Sequence, residues 1–451
     1  MNEVIAEREV KHPMVEDCIP PGGNITTASG YLRRARSDSY QRKWSQVPVG
    51  PTAARDLSKG LTERDHAILI MSEKARILTT EQIARAFFNS PVTARKRIRF
   101  LRERRFLASP EVDHRMMSAA IGRRRGIPNA PLVLDWNGKY LLEQLGHDVH
   151  AWDPATVAQV NSRFGHTVGI SEVWSYMMGA ARATHEQAPQ PQGSNIPEAA
   201  LEARPATGDV ISVGLLGERE SVVYYEGRTG WSLEQDEVAD QSPRSETSRR
   251  AAGAGASAKY LKYKPLVKPD ATFVLSIAVD KTEQAYRDMA RKSNSIAPSE
   301  YQASWHGALL QNLPSGDGMR TSEQFGGRRY RYLFLEMETG SNSAQDMKHK
   351  IGRYNQLYSR LQQGDMTHTR SWRMLFGQTI PSILVAVRDR SQIEGQVTAW
   401  RTHYTARSAG TVLLANIELL AMAYAGGRSR LLRQPCWLDV MRPEGPRWTA
   451  L

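Results

Sequence analysis

Residues 61–107 read LTERDHAILIMSEKARILTTEQIARAFFNSPVTARKRIRFLRERRFL, and three short helices are legible in them. Thr62 followed by Asp65 is a reciprocal capping pattern that opens a first helix, with Ile68 and Leu69 turned inward. Thr79 and Gln82 repeat the pattern for a second helix, whose apolar stripe is Ile83, Phe87 and Phe88. Asn89, Ser90 and Pro91 break the chain, and a third helix runs from Val92 to about Arg105. Helical spacing puts Ala94, Ile98 and Leu101 on one narrow stripe. Arg95, Lys96, Arg99 and Arg102 fall on a broad neighbouring face.

After Leu107 comes an irregular basic segment with Arg115, Arg123, Arg124 and Arg125. A strand, Pro131–Asp135, and a helix, Gly138–Leu145, are expected next. A strand pair following a third helix is a wing, so residues 58–150 are expected to form a winged helix-turn-helix. Its apolar stripe would seat the third helix while the guanidinium groups reach phosphates and guanine edges of duplex DNA. The wing arginines would follow the backbone or enter the minor groove.

Charge supports that reading. Pro91–Arg125 holds eleven Lys or Arg against three acids, more than half of the net +13 carried by all 451 residues. An excess so focused points to a polyanionic partner, nucleic acid or an anionic membrane surface. No apolar face accompanies Arg95–Arg105, which argues against a membrane. No window of about twenty apolar residues occurs either. The nearest, Thr411–Gly427, carries Glu418 and reads as a core segment. The N-terminus, MNEVIAEREVKH, has no apolar signal core. Cys18 and Cys436 stand at opposite ends, which excludes a disulfide framework and a CxxC zinc pair; a reducing, cytoplasmic location is expected. Residues 1–57 read as a flexible basic tail, with Arg33, Arg34, Arg36, Arg42 and Lys43 able to touch phosphates. Residues 185–207, 241–258 and 281–329 read as linkers or insertions.

The second half, residues 160–405, changes to apolar runs of buried-strand type: Asp270–Ala278, Tyr330–Met337 and Ser382–Val387. A helix Val168–Ala183 precedes them, with Val168, Glu172, Tyr176 and Ala180 on one side. Another lies between the last two strands, from Ser343 to about Leu361, with Met347, Ile351, Tyr354, Tyr358 and Leu361 as its stripe. This order predicts a mixed α/β layered core, followed by a C-terminal extension, 406–451. Three carboxylates stand where strands begin or end: Asp270, and Glu336 and Glu338, which lie two apart and share a face. Such a cluster suits Mg²⁺, which can polarise a phosphodiester and activate water. Lys350, at the margin of the helix stripe, is the better placed lysine to face them, while Lys348 points further towards solvent. Ordinary strand-end acids and helix lysines are the plainer account of the same residues.

Other chemistry is missing. No GxxxxGK[ST] phosphate loop, HExxH or GxSxG motif occurs. No His-x-His accompanies a nucleophilic tyrosine, as a usual conjugative relaxase requires; Tyr224, Tyr225 and Tyr354 read better as buried aromatics.

Read in order, these motifs resemble the replication-relaxation family of bacterial plasmids and integrative elements. The similar stretches are residues 61–107, PLVLDWNGKYLLEQLG, FGHTVGISEVW, KPDA (268–271), FLEMETGS (334–341) and KIGRY (350–354), covering roughly 60–400. The resemblance implies plasmid replication or conjugative mobilisation, with other replication or mobilisation proteins as partners. It also implies a PD-(D/E)xK-nuclease-like second domain, in which Asp270 and Glu336 would bind metal and Glu172 would be a helix-borne acid. Glu338 stands where that pattern has its lysine, and Lys350 would be a relocated one. Two functions stay open: an accessory or regulatory protein binding double-stranded DNA, or a Mg²⁺-dependent endonuclease or nickase. A homodimer is compatible with either.

Overall fold

The computed structural model describes residues 46–109, 130–147, 149, 164–186, 210–230, 264–278, 328–340, 342–364, 369, 372, 376, 380–406, 411–427, 431–432, 436–442 and 445–449. It is a mixed α/β structure with one large mixed sheet.

The head begins with α1 (Pro51–Leu57) and one 3-10 turn, then α2 (Glu63–Ala75), β1 (Leu78–Thr79), α3 (Thr80–Phe87) and α4 (Pro91–Glu103). Local chemistry sets these boundaries. The Thr62 N–H donates to Asp65 Oδ2 at 2.6 Å, and the Thr79 N–H to Gln82 Oε1 at 2.8 Å, each answered by the threonine hydroxyl. Ser90 caps α4, with Pro91 in its first turn where no N–H is needed. β2 (Leu107–Ala108) and β3 (Pro131–Leu134) complete a small antiparallel sheet of order β1-β3-β2, and α5 (Trp136–Gln144) follows. Gly138 lets α5 lie against the chain entering β2; a Cβ there would stand 2.4 Å from the Phe106 carbonyl oxygen. Residues 48–57, expected to belong to the tail, are bound to α5 instead: Asn137 Nδ2 donates to Pro48 O at 3.0 Å and Gln144 Nε2 to Pro51 O at 2.7 Å.

Just beyond α5, burial and the nearby Lys74 and His66 push the His147 imidazole down to about 4. It stays neutral in the folded chain, whereas an unfolded histidine gains its proton near 6.5. Acid therefore favours unfolding. Stability is expected to be full above about pH 6.5 and to fall by on the order of 2 kcal/mol as pH drops towards 4. His147→Gln should flatten this limb in denaturant titrations run at several pH values.

The second half opens with α6 (Phe164–Glu186), then β4 (Val210–Leu216), α7 (Glu218–Ser221) and a two-stranded ribbon of β5 (Val223–Tyr224) and β6 (Pro265–Val267). β7 (Ala271–Ala278), β8 (Arg328–Glu338), α8 (Ala344–Gln362), β9 (Ser382–Val387), α9 (Gln392–His403), β10 (Val412–Asn416), α10 (Ile417–Gly426), β11 (Trp437–Asp439) and β12 (Arg447–Thr449) follow. Seven strands form one sheet, in the order β12-β11-β10-β9-β8-β7-β4. β4, β7 and β8 pair antiparallel, β8, β9 and β10 parallel, and β11 and β12 antiparallel again. Residues 406–451 thus add three strands to the sheet.

Strand alternation sends side chains to opposite faces. Phe273, Leu275, Leu333, Leu335, Leu384 and Leu413 join the head, α6 and α10 in one continuous core. Val274, Tyr332, Phe334, Ile383, Val385 and Leu414 pack against α8 and α9 in a second. Gly169 brings α6 down onto the first face, since a Cβ there would meet Met337 Sδ at 2.7 Å. Among the described residues no helix is long and apolar enough to cross a membrane.

Candidate functional site

Two places carry the residues singled out by sequence. The first is α4. Ala94, Ile98 and Leu101 are buried and seat it on the head. Its arginines then divide by partner. Arg97 turns back to the fully buried Asp65, with Nε 2.7 Å from Oδ1 and Nη2 bonding Oδ2, so the acid that caps α2 also holds α4. Arg104 lies 3.6 Å from the Phe100 ring centroid, and Arg105 pairs with Asp135 at 3.3 Å. Arg95, Lys96 and Arg99 are exposed, and among the described residues none of them makes an ion pair. Arg102 is half-buried on the same helix. Arg115, Arg123, Arg124 and Arg125 lie outside the described residues.

The second place is where β7 begins and β8 ends. The register pairs Ala271 with Leu335, which brings Asp270 beside Glu336 and Glu338. All three acids have the face parity of the α8 side. Lys350, on the second turn of α8, reaches both glutamates: Nζ is 2.8 Å from Glu336 Oε2 and 2.7 Å from Glu338 Oε1. The remaining glutamate oxygens are also engaged. The Tyr354 hydroxyl donates to Glu336 Oε1 at 2.5 Å, and Asn342 Nδ2 to Glu338 Oε2 at 2.7 Å. Asp270 Oδ2 accepts the Met337 N–H at 2.8 Å and lies 3.0 Å from His166 Nε2.

Electrostatics follow from this burial. Loss of water pushes Glu336 up to about 7, with the Asp270 charge adding to the rise, against the pull of Lys350 and Tyr354. Burial would raise Asp270 too, but His166, Lys350 and the Met337 N–H outweigh it and hold the carboxyl below its usual range. Burial would lower Lys350, yet Glu336, Glu338 and Asp270 drive its ammonium well above the ordinary value.

Glu172 is not with these acids. It lies on the α6 side that faces α3, where Arg85 Nη2 approaches its Oε1 at 3.1 Å and Gln82 Nε2 donates to Oε2 at 2.8 Å. Arg85 also donates to Ser175 Oγ at 2.6 Å and stacks 3.7 Å over Tyr176. The helix side carrying Val168, Glu172 and Tyr176 thus meets the head rather than the carboxylates. Its charge is consumed in joining head to sheet. His166, Asn342 and the Tyr354 hydroxyl join the cluster without having been expected there. Only the seating of α6 and α8 on the sheet brings them in.

Does the cluster fit a resident Mg²⁺? A hard dication needs several oxygen ligands and usually keeps waters as well. Both oxygens of each glutamate already meet protein donors, and an ammonium sits between the two carboxylates. Among the described residues, no group of three His, Cys, Asp or Glu side chains is set to hold a metal ion. The residues as arranged do not fit it.

Comparison with known proteins bears on the whole. Residues 69–277 match the family model for replication-relaxation. The match runs from within α2 to β7 and includes Glu172 and Asp270, but stops before Glu336, Glu338 and Lys350. No curated protein and no solved structure matches the chain.

Proposed function

We propose, from the replication-relaxation match and the cationic face of α4, that this chain binds duplex DNA as an accessory or regulatory protein of a plasmid or mobile element, acting in its replication or transfer. The observation that carries the reading is the division among the α4 arginines. A helix whose basic residues served only its own fold would spend them as Arg97 is spent. Arg95, Lys96 and Arg99 are instead presented to solvent from a helix pinned by three buried apolar residues, which suits phosphate and base-edge contact. The order α2-β1-α3-α4-β2-β3 supports reading the head as a winged helix, with β2 and β3 as the strand pair of the wing. Likewise, α6-β4-β7-β8-α8-β9, with its first three strands antiparallel and the fourth parallel, supports a PD-(D/E)xK-like ancestry for the sheet domain. Partner proteins of the replication or transfer machinery belong to the same reading.

The test is fluorescence anisotropy on duplex DNA flanking the gene. Arg95→Ala combined with Arg99→Ala should weaken binding about tenfold or more. Each lost phosphate contact should flatten the log–log salt dependence by about one unit. The variant should melt within about 0.5 kcal/mol of wild type, because neither side chain supports the fold. Arg97→Ala is the contrasting control, expected to cost about 2 kcal/mol of stability by leaving the buried Asp65 without its cation. Unchanged affinity in a folded double variant refutes the proposal.

A further inference from the structure

We infer that the Lys350 ammonium fills the place a divalent cation would take between Glu336 and Glu338, so that this acidic centre works without metal as a staple held by the protein's own side chains. The geometry carries the argument. Lys350 Nζ lies 2.8 and 2.7 Å from one oxygen of each glutamate, and Tyr354 and Asn342 hold the other oxygens at 2.5 and 2.7 Å. Asp270 commits its Oδ2 to the Met337 N–H and to His166. The lysine is not a loose surface chain that can swing aside without consequence. It grows from α8, which is anchored by the buried Met347, Ile351 and Tyr354, and the two glutamate side chains it serves are only 3% and 2% exposed.

Admitting a dication beside the ammonium sets like charges within a few ångströms in a water-poor site, while expelling the ammonium strands it away from its counter-charges. What the centre does with its charges is join elements: the start of β7, the end of β8, α8, and through His166 the first turn of α6. It thereby supplies the role of a structural ion by side chains alone. This reading concerns the sheet domain and stands apart from the DNA-binding proposal, which is tested on α4.

The experiment is titration of the full-length protein with Mn²⁺ alone, by calorimetry, together with melting in Mn²⁺ or EDTA. Wild type is expected to take up no Mn²⁺ below millimolar concentrations and to melt identically in both. Lys350→Met, which keeps the aliphatic stem, should gain Mn²⁺ affinity by at least tenfold and be stabilised by the ion. Adding Glu336→Gln to it should remove the gain. Submillimolar Mn²⁺ binding by wild type that Glu336→Gln abolishes overturns the inference, as does a folded Lys350→Met with no response to the ion. If Lys350→Met does not fold, the wild-type titration and its Glu336→Gln counterpart decide between the same two outcomes.

Discussion

Arg85→Met is expected to destabilise the protein by about 3–5 kcal/mol, the range for removing one partner of a buried ion pair. Arg85 is 6% exposed and Glu172 19%, so water cannot replace the lost guanidinium. Burial alone would raise Glu172 and lower Arg85; each is instead held charged by the other, Arg85 above its ordinary value and Glu172 below. Truncation to methionine also loses the hydroxyl acceptor of Ser175 and the ring face of Tyr176. Gln82 still donates to Glu172 and the Tyr176 side chain hydrogen-bonds it, which limits the damage but leaves the carboxylate without the guanidinium it is paired with. A second change, Glu172→Leu in the Arg85→Met background, should restore much of the loss, because an apolar pair of similar volume avoids the desolvation cost altogether. Urea unfolding of the single and double variants measures both numbers. A loss below about 1 kcal/mol, or no recovery in the double variant, contradicts a buried pair.

Trp174→Ala should cost about as much, roughly 3–5 kcal/mol, by a different route. Trp174 is fully buried on α6, its ring 5.8 Å from Phe87 of the head, and its Nε1 donates to Val213 O of the edge strand β4 at 3.1 Å. Truncation opens a cavity where three elements meet and leaves a strand-edge carbonyl without its donor. Trp174→Phe separates the two effects: it fills most of the space and loses only the N–H, for about 1–3 kcal/mol. Since one apolar cluster runs from Ala54 in the head to Trp437 in the sheet, wild type should melt in a single calorimetric transition. Head and sheet unfolding as separate peaks would show that this junction does not couple them.

That coupling bears on the DNA binding proposed above. Arg182 adds to it from further along α6, donating to the Phe88 carbonyl at 2.9 Å and to Asn89, and so closes the end of α3 just before α4 begins. The cationic face of α4 is therefore held at a set orientation to the large sheet. On the proposed reading, DNA engaged by Arg95 and Arg99 would meet the large sheet and its helices in a defined pose.

Local chemistry was legible in the residues. Thr62 with Asp65 and Thr79 with Gln82 cap across three positions, and no distant part of the chain is needed to read them. The stripes Ala94–Ile98–Leu101 and Met347–Ile351–Tyr354 follow from helical period alone, and place Lys350 at the edge of a buried face. The strand runs Asp270–Ala278, Tyr330–Met337 and Ser382–Val387 announce burial on both sides, and the sheet buries them so. Their neighbours are not announced. A continuous apolar run fits either edge of several partners, so β4 as the edge strand and the three strands added beyond residue 406 emerge only when the chain is packed. Glu172 shows the same boundary most sharply. Its spacing with Val168 and Tyr176 defines one side of a helix, but whether that side meets Asp270 or Arg85, 87 positions away, depends on how α6 lies on the sheet. Contacts closed within one helical turn are written in the sequence itself; contacts closed across a core exist only once the core has formed.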